Sequence, residues 1–213
     1  AAFDALAEAL KQGEADLRFQ AATSLVEVDA EAAYPHLLEA LDDEDGEVLG
    51  AVALALGAIG KSESADAIAA LLDHSAAQTR FDAAYALAQL SDPRASETLA
   101  AFLSDADLGW DAVMALEVLG SASEQHLSSF LDTSNGAERV RIRAAGALLG
   151  ISEQPHSEAR ACLLDALRSR KIELRGLSLQ ELSRCAGDWA KPALIALRHS
   201  FRGRRLRDEI DAV

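Results

Sequence analysis

Short apolar runs alternate with polar turns at a nearly constant interval along this chain. Seven of the runs close on a leucine: Leu10, Leu41, Leu72, Leu103, Leu131, Leu167 and Leu197, at spacings of 31, 31, 31, 28, 36 and 30 residues. The runs themselves read LAEAL, LLEAL, IAALL, LAAFL, LSSFL, LLDAL and LIAL, with apolar positions at helical intervals. A polar turn follows each of the first six, and then a second apolar helix. Such a period predicts stacked helical pairs, because one pair cannot bury its apolar face without its neighbours.

The second helices align in twelve columns that start at Leu17, Val48, Thr79, Leu108, Val140 and Leu174. They read LRFQAATSLVEV, VLGAVALALGAI, TRFDAAYALAQL, LGWDAVMALEVL, VRIRAAGALLGI and LRGLSLQELSRC. Column nine is leucine throughout: Leu25, Leu56, Leu87, Leu116, Leu148 and Leu182. Columns one, five, nine and twelve recur at helical spacing and are apolar or small, so they are expected to face the core. Small residues in columns five, six and eight let neighbouring layers approach closely.

The VR-x-x-AA-x-AL block at Val140–Leu148, with looser copies at Leu17–Leu25 and Thr79–Leu87, resembles the HEAT repeat. It is most similar to the short bacterial form in the phycobilin-lyase-like family. The resemblance covers nearly the whole chain. It implies an all-α fold, a right-handed α-α superhelix (solenoid) of about six and a half HEAT-type pairs, as a single domain over 1–213. It implies an interaction scaffold more readily than a catalyst, because such stacks are chiefly surfaces. The alternatives are a phycobilin-lyase-like subunit that binds a tetrapyrrole, and a structural spacer in a larger protein.

In a stack of this type the second helices line the concave side, and columns three, four, seven and eleven supply its surface. Phe81 with Tyr85 and Trp110 with Met114 stand one turn apart, with Asp82 and Asp111 in column four beside them. In a chain with only 5% aromatic residues, such rings bordered by carboxylates fit a protein-binding surface. Equally, the rings could cover one another in a tightly curved stack. The expected protein-binding residues are Phe81, Asp82, Tyr85, Trp110, Asp111 and Met114.

Charge sharpens the expected partner. The chain carries a net −15, divided between residues 1–167 (9 basic, 29 acidic, net −20) and residues 168–213 (11 basic, 6 acidic, net +5). A field of that sign repels nucleic acid and anionic lipid over most of the surface and attracts basic protein segments. The basic end holds Arg198, Arg202, Arg204, Arg205 and Arg207. Two readings stand: a last helix whose arginines pair with Asp208, Glu209 and Asp211, which is favoured, and a secondary docking segment. Arg18, Arg80, Arg141 and Arg175 share column two and are read as a structural ladder paired with nearby acids, rather than as an anion-binding row.

The sequence argues against most enzyme classes. The di-iron hydroxylases of HEAT-like architecture use His-Glu pairs, whereas the five histidines here (His36, His74, His126, His156, His199) precede leucine or serine. No two stand at the i, i+4 spacing that chelates zinc, so neither catalytic residues nor a metal or other cofactor is expected. A DNA-glycosylase channel needs basic groups, but column four has Asp82 and Asp111 against Arg143. Gly46, Gly57, Gly60, Gly120 and Gly150 are assigned to helix ends or repeat junctions, and the prolines Pro35, Pro93, Pro155 and Pro192 to positions near the start of a first helix. Cys162 and Cys185 are read as free thiols. The longest apolar stretch, Val48 to Gly60, is about 13 residues and falls short of the roughly 20 that cross a bilayer. The chain opens at Ala1 in mid-helix without a methionine and is read as a fragment of a longer cytoplasmic protein, a monomer or weak self-associator.

Overall fold

The computed structural model describes residues 1–133, 136–185, 187–200 and 203–213, and among them every regular element is helical. The chain gathers into two compact units, Ala1–Leu99 and Ala100–Val213. In the first, α1 (Ala2–Gln12) packs on α2 (Ala15–Glu39), α2 on α3 (Gly46–Ile59), and α3 on α5 (Ala77–Gln89), with the short α4 (Ala65–Ala69) against α5. The next helix, α6 (Ala95–Ala101), contains the division between units. In the second unit α7 (Gly109–Leu119), α9 (Glu138–Ile151) and α11 (Ile172–Cys185) form one layer. The other layer holds α8 (Glu124–Asp132), α10 (Ser157–Arg168) and α12 (Lys191–His199), and α13 (Arg207–Asp211) packs on both α11 and α12.

The columns explain this layering. All six leucines of column nine are at most 1% exposed, and every column-five side chain, Ala21, Val52, Ala83, Ala112, Ala144 and Ser178, is equally sealed. A small side chain at that column, alanine or serine except at Val52, lets the paired helix approach closely while leucine fills the gap. Ser178 keeps its hydroxyl satisfied by donating to the Leu163 carbonyl at 2.8 Å. Column one departs from expectation once, at Leu17, which is 57% exposed, and column twelve departs at Val28, which is 50% exposed.

Repeat boundaries follow from local chemistry. Asp45 caps α3 by accepting from the amides of Glu47 and Val48 at 2.8 and 3.3 Å. Gly60 ends the same helix at φ 79°, a left-handed conformation that side chains disfavour. α2 is two helical segments joined at Asp29, whose φ of −163° and ψ of 98° are non-helical and whose carboxylate caps Ala32 at 3.0 Å. The break therefore precedes Pro35, which lies within the helical run and not at its start. Pro192, by contrast, occupies the first turn of α12. Gly57 likewise lies inside α3, where its missing side chain admits Ala86: a Cβ would meet that Cα at 2.8 Å.

The column-two arginines are structural, and all four donate to main-chain carbonyls. Each reaches back to a carbonyl where the first helix of its own repeat ends. Arg18 donates to Gly13 O at 2.9 Å, Arg80 to His74 O at 2.8 Å, Arg141 to Leu131 O at 3.3 Å, and Arg175 to Ser169 O at 2.8 Å. A cation there satisfies an orphan acceptor and complements the negative end of the helix dipole. Arg18 also donates to the Asp43 carboxylate, at 2.6 and 2.8 Å.

Candidate functional site

In the N-terminal unit the second-helix layer carries Phe81, Asp82 and Tyr85 on α5. Phe81 is a correction: it is 5% exposed and belongs to the core, its ring centroid 6.1 Å from that of Tyr85. Column three packs against neighbouring helices at Gly50, Phe81 and Ile142, whereas Trp110 and Gly176 in the same column keep access to solvent. The Gly50 position on α3 faces Asp82 of α5, and Ile142 is 3% exposed. Tyr85 and Asp82 are half-buried. The Asp82 carboxylate accepts from Gln78 Nε2 at 2.9 Å and pairs with no cation among the described residues, so burial pushes its pKa up.

In the C-terminal unit Trp110 is half-buried, Asp111 is exposed and Met114 is 40% exposed. The Arg139 guanidinium lies 5.8 Å from the Trp110 ring centre, at the outer limit of a cation–π contact. Thus five of the six expected residues keep some access to solvent, in two groups on α5 and α7.

The same layer contains an ion-pair lattice that column reading missed. Arg143, read from sequence as a solitary cation, is 8% exposed and joins Glu117 of α7 to Glu181 of α11, the latter at 3.2 Å. Arg184 closes the set by contacting both Glu117 and, at 3.0 Å, Glu181. Glu181 is 2% exposed, and burial raises its pKa while Arg143 and Arg184 pull it back down. Its carboxylate fits because column seven of α9 is Gly146, where a Cβ would meet Glu181 Cβ and Cδ at 2.8 Å. A polar residue in column eight, alanine in four of the other five repeats, was the available signal.

The basic end is partly occupied by its own chain. Arg198 pairs with Asp211 at 2.5 and 3.1 Å, the favoured reading for that arginine. Arg204, Arg205 and Arg207 are exposed, and Arg202 lies outside the described residues. Both cysteines are free and half-buried, and burial raises both thiols, Cys185 to about 11. His156 contacts Ser152 Oγ at 2.9 Å and Glu124 at 3.1 Å through the same Nε2. That is a loop clasp: a nucleophile–base–acid relay needs the two partners on opposite ring nitrogens. Among the described residues no group of His, Cys, Asp and Glu could hold a metal ion, and no helix is long and apolar enough to cross a membrane.

Comparison with solved structures gives a fold likeness over the full chain. A structure of the complex of CpcE and CpcF of phycocyanin lyase from Nostoc sp. PCC7120 aligns with a TM-score of 0.62 and 22% identity, covering 99% of this chain and 94% of that one. Human deoxyhypusine hydroxylase in complex with glycerol aligns with a TM-score of 0.39 and 18% identity, covering 98% and 93%. No curated protein matches. The sequence profile described as HEAT repeats matches residues 3–86 and 35–120, more than half of the chain, in the region where the leucine period is most regular. The helical pairs, the sealed column-nine leucines and this match agree: the chain belongs to the HEAT-repeat family.

Proposed function

We propose that this protein is a non-catalytic adaptor whose second-helix layer holds a basic segment of another protein. One observation carries the reading. In a chain with 5% aromatic residues, the second helices leave Tyr85 and Asp82 accessible on α5 and Trp110, Met114 and Asp111 accessible on α7, and among the described residues neither aspartate forms an ion pair. The rings and the thioether supply area that desolvates at small entropic cost, and the carboxylates select sign and fix register. Phe81 is buried, its ring tilted against that of Tyr85, and is left out of the contact surface.

Affinity capture with the wild-type chain and with a Tyr85→Ala/Trp110→Ala variant, read by mass spectrometry, tests this. The proteins held by the wild type are expected to be lost from the variant while its circular dichroism and melting are kept. Unchanged capture, or an unfolded variant, overturns the assignment. Trp110 and Met114 are also apolar side chains against which a linear tetrapyrrole could pack. A changed visible spectrum on adding a bilin would replace the adaptor reading with a lyase-subunit one.

A further inference from the structure

We propose that Asp82, with Gln78 and Tyr85 on α5 and Gly50 beneath it on α3, forms a socket for a single cationic side chain, guanidinium or ammonium, of the partner. The inference rests on reading the second-helix layer as the partner surface, and names the contact that selects the partner there.

Two other half-buried aspartates of this unit lie beside a cation. Asp43 holds Arg18 at 2.6 Å and Asp92 holds Arg94 at 2.6 Å, and both carboxyls sit below their ordinary pKa as a result. Asp82 is withdrawn from water without such a partner among the described residues, which raises it instead. A desolvated carboxylate is stabilised strongly by a charge-assisted hydrogen bond, far more than an exposed one. Gln78 fixes one oxygen, Oδ1, at 2.9 Å. The other, Oδ2, rests against the bare backbone of Gly50.

Tyr85 follows Asp82 by three residues and so stands on the same side of α5, where its ring gives the aliphatic stem or the cation itself a face to pack on. The surroundings favour a cation as well. Residues 1–99 hold 19 acidic and 5 basic side chains, a net of −14. Long-range attraction then delivers a cation, and the socket retains it.

Gly50 makes the test specific. A Cβ there would overlap Asp82 Oδ2 and press its Cγ at 3.3 Å, yet would stand 3.4 Å from Asp82 Cβ, an ordinary contact. Gly50→Ala therefore turns the carboxylate away while leaving the charge of the protein and the seating of α5 intact. The experiment is an NMR titration of the whole chain with the peptide acetyl-Gly-Arg-Gly-amide, using acetyl-Gly-Glu-Gly-amide as the reversed control.

The arginine peptide is expected to shift amides at Gly50 and between Gln78 and Tyr85, and the glutamate peptide is not. Asp82→Asn and Gly50→Ala should each weaken the binding about tenfold or more, while Asp73→Asn, an exposed turn acid, leaves it unchanged. Shifts spread over the acidic turns and equal in wild type and Asp82→Asn would overturn the socket. If that happens while Tyr85→Ala/Trp110→Ala still loses its captured partner, the adaptor stands and the socket falls. A working socket with unchanged capture would remove the adaptor instead.

Discussion

One methyl group added at two glycines of the same layer should move stability in opposite directions. Gly146 in α9 and Gly176 in α11 are both interior helical positions, where alanine is intrinsically better by about 0.8–1.0 kcal/mol. At Gly176 a Cβ meets nothing within 4 Å, so the propensity gain stands alone. At Gly146 the new Cβ would overlap the Glu181 carboxylate and approach Glu181 Cβ and Cδ to 2.8 Å. Rotating the end of the side chain does not relieve the Cβ contact, so α11 must shift or Glu181 must leave. Leaving separates it from Arg143, whose side chain is 10% exposed, and losing one partner of such a buried pair costs about 3–5 kcal/mol.

The second effect outweighs the first. Gly146→Ala is expected to destabilise by about 2–4 kcal/mol after the propensity gain is subtracted, lowering Tm by roughly 4–16 °C for a chain of this size. Gly176→Ala should raise Tm by about 2–4 °C. Differential scanning calorimetry measures both. The cause is isolated by Glu181→Ala/Gly146→Ala against Glu181→Ala alone: without the glutamate, the added methyl should turn neutral or stabilising. If Gly146→Ala raises Tm as Gly176→Ala does, Glu181 is not seated on that glycine and the lattice is misplaced.

Three further outcomes follow from the same geometry. Leu56→Ala, at a fully sealed column-nine site, should cost about 2–5 kcal/mol in urea denaturation, whereas Leu17→Ala, at 57% exposure, should stay within about 0.5 kcal/mol. The Arg18 guanidinium holds Asp43 below its ordinary pKa, so this pair stabilises fully above the unfolded carboxylate pKa of about 3.9 and is lost as pH falls through the lower folded value. Arg18→Met should accordingly flatten the acid limb of the stability curve, followed by Tm between pH 2 and 6. Cys162 and Cys185 are both raised by burial, so a thiol-reactive chromogenic reagent at pH 8 should modify them slowly in the folded chain and rapidly in guanidinium chloride; equal rates would refute their burial.

The repeat was legible because burial in a stack depends on one coordinate, the angle around the helix, and column nine records it in every copy. Leu25, Leu56, Leu87, Leu116, Leu148 and Leu182 could be placed in the core from their letters alone. Leu17 and Val28 show the limit: periodicity gives the direction a side chain points, and coverage depends on what stands opposite. Phe81 shows another. A second helix has a flank toward the next repeat as well as a core face and an open face, and column three lies on that flank at Phe81 and Ile142 but stays open at Trp110. Reading one helix at a time merges flank with open surface, so Phe81 was grouped with Tyr85 when only Tyr85 is accessible.

The same blindness hid the lattice, whose partners are 26 and 38 residues from Arg143. A signal did exist, in the register between successive second helices. Gly50 in column three receives Asp82 from column four of the next repeat, and Gly146 in column seven receives Glu181 from column eight. Gly57 in column ten receives Gln89 from column eleven, whose Oε1 lies 2.6 Å from where a Cβ would be. In each case an internal glycine faces a polar side chain one column further on in the following repeat. The physical reason is room: a polar group can cross the flank between two close-packed helices only where the facing residue has no side chain. What separates the three is the charge waiting nearby. Glu181 finds Arg143 and Arg184 and becomes part of the frame, Gln89 is neutral, and Asp82 meets no cation among the described residues, so burial raises its pKa.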